Sequence, residues 1–321
     1  MSDSLWGLTW QRFRRSRLAT FALMYVGVAT FVALLAPLIA NRKPLLAKTA
    51  AGWTSPALAD FWNPDFDAPT APATSTLSAP VPYSPNAIDL ASRLEAPSRD
   101  HYLGTDDLGR DVAARMIHGA RVSLTVGYFA TLIALVVGSF FGALAGYYGG
   151  ATDWLVSRFI ETVLCFPFLF LLLGIVALFK PSMLTIMIAL GLTSWTSEAR
   201  YVRAELLRIR EVEFAQAARA SGARDARIIF RHLLPNALAP VLVSASFGVA
   251  AAILTESALS FLGLGVPLPT ASWGSILSTA QEHIEYGWWL VLFPGLAIFS
   301  TVAAFNIVGE RVREALDPRS E

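Results

Sequence analysis

The sequence predicts an all-α membrane protein with six transmembrane helices and a long extracytoplasmic loop between the first and the second. Three observations carry that prediction. The 321 residues are 55% hydrophobic and only 15% charged, against about 25% charged in an ordinary globular domain. Apolar runs recur at the length a helix needs to cross a hydrocarbon core about 30 Å thick, roughly 20 residues. Between the first two runs lies a stretch that holds half of the 18 Pro and shows no sustained period.

Taken in order, residues 1–17 form a basic N-terminus with Arg12, Arg14, Arg15 and Arg17. The first span, Leu18–Ala40, follows it. Its apolar stretch is too long for a cleaved signal peptide and no good small-x-small site follows Pro37, so it reads as an uncleaved signal anchor. The region 41–122 reads as an extended, Pro-stiffened loop up to about Pro97. Trp53, Phe61, Trp62, Phe66 and Tyr83 could give it a minor core, which leaves a small folded subdomain open. The remaining spans are Ser123–Gly146, Phe159–Phe179, Met183–Ser197, Ala237–Leu262 and Trp288–Val308, and together they make one core over 123–308. The fourth is short and is expected to lean on an interfacial anchor such as Trp195. Pro167 is expected to kink the third. Cys165, the single Cys, reads as a small buried apolar residue.

Most of the 25 Lys and Arg fall in the N-terminus, a short loop near 147–158, the loop 198–236 and the tail 309–321. The positive-inside rule therefore puts both termini in the cytoplasm. A net charge of +1 gives no reason to expect a nucleic-acid partner. The loop 198–236 carries Arg200, Arg203, Arg208, Arg210, Arg219, Arg224, Arg227 and Arg231. Within it Ala215, Ala217, Ala218 and Ala220 favour helix, Gly222 suits a left-handed helix end, and a second helical run from Asp225 is expected to stop at Pro235. Helix, Gly elbow, helix is the reading. From physics alone it serves either as an amphipathic helix on an anionic leaflet or as a docking element for a partner.

Two carboxylates lie within apolar runs, where charge is costly and suggests either function or a buried partner. Glu161 has Arg158 one turn back on its own helix, so a simple ion pair competes with a role in a pathway. Glu256 sits near the outer end of the fifth span and reads as structural or pathway-lining. Asp106, Asp107, Arg110 and Asp111 precede the second span and could simply solvate a turn.

Some chemistries find no support. There is no Gly-x-x-x-x-Gly-Lys-Ser/Thr loop, and none of Lys43, Lys48 and Lys180 follows a Gly, so this chain offers no P-loop for ATP. The four His and one Cys show no metal-ligand spacing, and no nucleophile elbow occurs. No cofactor, metal site or catalytic residue is expected.

The stretch from Phe214 to Gly222, with Gln216-Ala217-Ala218, Gly222 and Leu234-Pro235 in register, resembles the Glu-Ala-Ala loop of ABC-importer permeases. Gln216 stands where that family has Glu and His232 where it has Ile; Gln keeps length and hydrogen bonding but drops the charge. Two further blocks, Leu103–Val112 and Glu256–Val266 with Ser272-Trp273-Gly274 after it, resemble the C-type permease of dipeptide, oligopeptide and nickel importers. The likeness runs from about residue 100 onward, together with the Arg-rich start, and the insert at 45–97 is least like the family. It implies the type I permease fold in a bacterial inner membrane. It implies an ATPase contact made by Glu213, Phe214, Ala215, Gln216, Ala217, Ala218, Arg219, Gly222, Ala223, Arg227, Leu234 and Pro235. It also implies an outer face at Gly104, Thr105, Asp106, Asp107, Gly109, Arg110 and Asp111, turned toward an extracytoplasmic solute-binding protein. The partners would be a homologous B-type permease and one or two ATPases, which would hold the ATP and magnesium. Cargo stays open in the order peptide, nickel, oligosaccharide. A self-sufficient secondary transporter using Glu161 or Glu256, or a membrane scaffold, are the competing readings.

Overall fold

The computed structural model describes residues 5–49, 52–59 and 75–316. Helices dominate it. In chain order they are α1 (Leu5–Arg15), α2 (Arg17–Leu34), α3 (Ala36–Ile39), α4 (Pro56–Ala59), α5 (Val112–Tyr148), α6 (Gly150–Leu164), α7 (Phe168–Leu178), α8 (Met183–Ile209), α9 (Glu213–Ala220), α10 (Asp225–Arg227), α11 (Leu234–Phe261), α12 (Trp273–Thr279) and α13 (Trp288–Leu316). Strands β1 (Leu46–Thr49), β2 (Gly52–Thr54) and β3 (Ser75–Leu77) form an antiparallel sheet in the order β2-β1-β3, with Ala47 opposite Thr54 on one side and Thr76 on the other.

Among the described residues, α2, α5, α13 and the 240–261 part of α11 are long and apolar enough to cross a bilayer, and α6 with α7 makes a fifth if the pair is one bent span. That is four or five spans where six are expected. The missing one is α8. Its apolar first half runs without a break into Glu198, Arg200, Arg203, Glu205 and Arg208, so the helix is long enough but its uncharged part is short. The third span also differs from expectation. Residues 150–158 are helix rather than loop, because Gly149 and Gly150 make the whole turn after α5. The helix then breaks at Pro167, and α6 and α7 meet at 83°, a larger change than a kink. Cys165 lies at the break and is exposed, not buried.

The chain divides into two compact units, Met1–Leu23 with Gly127–Ala252 and Ala303–Glu321, and Met24–Val126 with Ile253–Val302. In the first, α5 and α8 come into backbone contact along Gly138, Gly142 and Gly146. A Cβ on Gly138 would lie 2.6 Å from the Glu198 Cβ, and one on Gly146 would lie 2.8 Å from both the Arg203 carbonyl and the Leu206 Cβ. Small residues four apart let two helices pack this closely in an apolar environment. The approach encloses Trp195, which packs against Phe141 and Phe159 with ring centroids 4.9 and 5.6 Å away and is buried, not an interfacial anchor. Arg203 of α8 clamps Asp153 of α6, with Nη2 donating to Oδ2 at 2.7 Å and Nε to Oδ1. Phe13, Ala19 and Ala315 bury one another, with Leu23, Val308 and Val312 packed on them, so α1, the start of α2 and the last turns of α13 pack together.

In the second unit, Ala40, Val81, Ala113 and Ala114 form one buried cluster, and Val112, Ile276, Ala280, Trp289 and Leu290 form another. The expected loop therefore contains a sheet and packed segments. Of the aromatic residues expected to form a minor core there, Trp53 is 64% exposed, whereas Tyr83 packs against the Ala40 cluster and lies 4.6 Å from the His101 ring in a tilted contact. Phe61, Trp62 and Phe66 lie outside the described residues.

Candidate functional site

Three places gather the side chains singled out by the sequence. The first is the segment between α8 and α11. Helix α9 starts with Glu213 in its first turn and ends with Arg219 in its last, each at the pole that suits its charge. It terminates as the Gly spacing predicts. Gly222 has φ +73°, its N–H donates to the Arg219 carbonyl at 2.9 Å, and the Ala223 N–H reaches the Ala218 carbonyl at 3.2 Å. Those two bonds make the left-handed cap that Gly forms at low cost.

Only Ala215 of α9 is buried. It joins a core with Tyr147, Val202, Leu206, Ile228, Ile229 and Leu233. Polar ties fix the same segment. Tyr147 Oη donates to Asp225 Oδ1 at 2.7 Å, and the Arg219 guanidinium lies 5.1 Å from the Tyr147 ring centre. Arg210 Nη1 donates to the Gly146 carbonyl at 3.1 Å. Gln216 Nε2 donates to the Glu211 carbonyl at 3.0 Å, a bond that a Glu at this place could not make. Glu213, Phe214, Gln216, Ala217, Arg219, Gly222 and Arg227 are exposed, and Ala218 and Ala223 are half-buried. The result is a short helix held to the bundle by the methyl groups of Ala215 and Ala218 and by the Arg219–Tyr147 contact, presenting its other sides outward.

Pro235 does not stop the second run. Ile228–Leu233 adopts the wider π-helical turn, the Leu234 N–H bonds the Ile229 carbonyl, and α11 starts at Leu234 and continues through Pro235. The wide turn suits a proline, which lacks the N–H an α-helix interior needs. Asn236 Nδ2 donates to the His232 carbonyl at 2.6 Å, satisfying a backbone acceptor close to the proline.

The second place is the segment Gly104–Asp111, and here the reading of a solvated turn needs correcting. Gly104, Thr105, Asp106, Gly109, Arg110 and Asp111 are buried, and only the Asp107 side chain is partly exposed, at 30%. Asp106 accepts from the N–H groups of Leu108 and Arg110 at 3.0 and 2.9 Å and from Arg110 Nε at 2.7 Å, with Arg115 Nε 3.4 Å away. Asp111 caps α5 by accepting from the Ala114 N–H at 2.7 Å, and it also accepts from His101 Nδ1 at 2.8 Å. Thr105 Oγ1 donates to the Ser92 carbonyl at 2.5 Å, and Trp289 Nε1 donates to the Thr105 carbonyl at 3.0 Å. A Cβ on Gly109 would overlap the Asp89 carbonyl. Burial pushes the nearby Tyr83 hydroxyl pKa up, and Asp111 adds to the shift. These residues do not solvate a turn; they weld one together, because each charge has a partner within its own ten residues or on α5.

The third place is the carboxylate pair. Glu256 is fully buried. Ser123 Oγ and Ser260 Oγ donate to it at 3.1 and 2.6 Å, Ser272 Oγ donates to Ser260 at 3.2 Å, and the Trp273 N–H reaches Ser123 at 3.3 Å. A carboxyl group that joins α5, α11 and α12 through serines is a structural knot. Glu161 is exposed and takes Arg158 Nη1 at 2.6 Å. Glu161 lies in the first unit and Glu256 in the second. Among the described residues no group of His, Cys, Asp and Glu could hold a metal ion.

Sequence reasoning missed the Gly138, Gly142, Gly146 row, although small residues spaced by four in an apolar run are a legible signal. It also passed over Glu198, which is buried and accepts from Ser244 Oγ at 2.5 Å. No spacing rule marks that residue.

Comparison with known proteins adds to this geometry. Residues 138–321 match the family described as binding-protein-dependent transport system inner membrane component, and residues 4–56 match the N-terminal TM domain of oligopeptide transport permease C. A dipeptide transport system permease protein of Alkalihalophilus pseudofirmus is 45% identical over 71% of this chain and 75% of its own length. The oligopeptide transport system permease protein of Bacillus subtilis is 33% identical over 99% of this chain and 91% of its own. Among solved structures, the inward-facing MetNI methionine ABC transporter superposes with a TM-score of 0.52 at 20% identity, over 63% of this chain and 95% of that one, which bears on the fold alone.

Proposed function

This chain belongs to the binding-protein-dependent transport system inner membrane components, and on that footing we propose that it forms half of the translocation pore of an ATP-driven importer of peptides. A homologous permease supplies the other half, separate ATPase chains hydrolyse ATP, and a solute-binding protein delivers the peptide from outside. Peptides are the cargo named for the relatives at 45% and 33% identity. In the proposed topology the first half of α8 completes six spans and both termini are cytoplasmic. The packing of Phe13 and Ala19 against Ala315 supports a common side for the termini, and the arginine distribution supports the cytoplasm.

One observation carries the coupling role. Helix α9 is anchored on the bundle core through Ala215 and through the Tyr147, Asp225 and Arg219 contacts, yet its remaining surface is exposed. We place the ATPase on that surface, with Glu213, Phe214, Gln216, Ala217, Arg219, Gly222 and Arg227 in the contact and Ala218, Ala223, Leu234 and Pro235 shaping it. A push on α9 passes to α5, α8 and α11 because Ala215 shares its core with Tyr147, Leu206 and Leu233. Around the outer segment, Asp107 is the residue placed to meet the solute-binding protein, and Gly104, Thr105, Asp106, Gly109, Arg110 and Asp111 hold it there.

The chain, its partner permease and the ATPase are to be co-expressed and ATP-dependent peptide uptake measured. Gly222→Val puts a β-branched residue at a left-handed position, which costs about 1–3 kcal/mol, and is expected to abolish uptake. Gly222→Asn, which tolerates that conformation, is expected to retain most of it. Normal uptake by the Val variant refutes the coupling role.

A further inference from the structure

The ends of α1 and α13 enclose a cavity of about 360 Å³, within the range of sites that hold small ligands. Phe13 and Ala315, both buried, form its floor. Arg12, Arg15 and Ser16 line it from the α1 side, and Arg311 and Glu314 line it from α13. Arg12 and Arg15 are three residues apart and so share a helix face. Arg311 Nη1 donates to Glu314 Oε2 at 2.5 Å. Among the described residues lining the cavity, three guanidinium groups thus meet one carboxylate.

The location adds a second argument. The candidate span α2 begins at Arg17, two residues past Arg15. On its first turns Leu18 and Phe21 are 54% and 62% exposed and share a face by the same three-residue spacing. A concave group of arginines therefore sits where the chain turns from polar to lipid-facing. Guanidinium forks match the tetrahedral oxygens of phosphate, and several forks can share one group.

We infer that this cavity binds a phosphate group, and that the group is the headgroup of an anionic phospholipid whose chains run along Leu18 and Phe21. The arginines also suit the C-terminal ends of α1 and α13 by helix dipole alone. Arg14 and Arg313 are the control for that effect: they occupy the same last turns, are exposed, and do not line the cavity.

The test titrates phosphatidylglycerol into the assembled permease–ATPase complex in neutral detergent and counts bound lipid by native mass spectrometry, with phosphatidylcholine and inorganic phosphate as competitors. Arg12→Gln with Arg15→Gln is expected to weaken phosphatidylglycerol binding by roughly fivefold per arginine. Arg14→Gln with Arg313→Gln is expected to change it by less than about twofold. Phosphatidylcholine failing to compete is the expected result. Competition by millimolar inorganic phosphate overturns the lipid assignment and gives the site to free phosphate; failure of phosphate to compete supports the lipid. Equal loss in the two double variants, or loss in neither, overturns it. If the Arg12 and Arg15 variant does not assemble, Glu314→Gln decides: it removes the one lining carboxylate and is expected to tighten binding, and unchanged or weaker binding overturns the inference.

Discussion

At the scale of single residues, the buried acids show how position decides the meaning of a charge. In the sequence Glu256 read as a costly acid within an apolar run and Asp106 as one that could solvate a turn. Folding gives Glu256 two serine hydroxyls and gives Asp106 two backbone N–H groups and an arginine. Buried polar groups cost little once they are bonded and much when they are not. Glu256→Gln keeps an acceptor for one serine and is expected to reduce stability by about 1 kcal/mol or less, whereas Glu256→Leu strands the serines and is expected to cost about 1–3 kcal/mol. Thermal unfolding of the purified complex reads the difference, and equal shifts for the two variants would count against the hydroxyl network. The legible part at this scale was Gly222: its place after an alanine-rich helix announced a left-handed cap, which the structure has. Gln216 was legible as a departure from its family's Glu, but its bond to the Glu211 carbonyl was not, because that carbonyl is positioned by the turn between α8 and α9.

At the scale of elements, the contact between α5 and α8 organises the first unit. Gly142→Leu would drive a side chain into the Ala199 carbonyl and the Val202 Cβ, at 2.5 and 2.8 Å from where its Cβ would lie. Backbone cannot retreat as a side-chain tip can, so the expected cost is at the upper end of overpacking, about 3 kcal/mol. The variant should insert but lose monodispersity in detergent, which size-exclusion chromatography measures. The Arg203–Asp153 clamp between α8 and α6 is a weaker tie. Both groups are partly exposed, at 33% and 21%, so a double-mutant cycle with Ala at each position is expected to give a coupling of about 0.5–1 kcal/mol. A coupling near zero would mean that the helices are aligned by packing alone. The sequence located these helices through their apolar runs but misplaced several ends. Span three starts early because two glycines close the turn before it. Pro235 begins α11 rather than ending a helix, because a π-turn upstream absorbs its missing donor.

At the scale of the whole molecule, the proposal makes this chain a pore half that depends on others for energy. The purified chain alone is expected to show no ATP hydrolysis, and ATPase activity stimulated by peptide-loaded binding protein is expected only when both permeases and the ATPase are present. Transport by the chain alone, driven by an ion gradient, would favour the secondary-transporter reading instead. The sequence by itself determined that this is a helical membrane protein, which family it resembles, and where the short helix α9 and its Gly elbow lie. Those properties follow from local apolarity, helix propensity and fixed motif spacing, and each is readable within one stretch of chain. Only the tertiary structure decided that six of the seven outer-motif residues are buried, that Trp195 is core, and that Glu256 is knotted to serines of α5 and of its own helix. It also brought arginines from α1 and α13 around one cavity. The physical reason is the same in each case: burial, pairing and desolvation depend on which distant segments are neighbours, and periodicity along a helix carries no record of what packs against it.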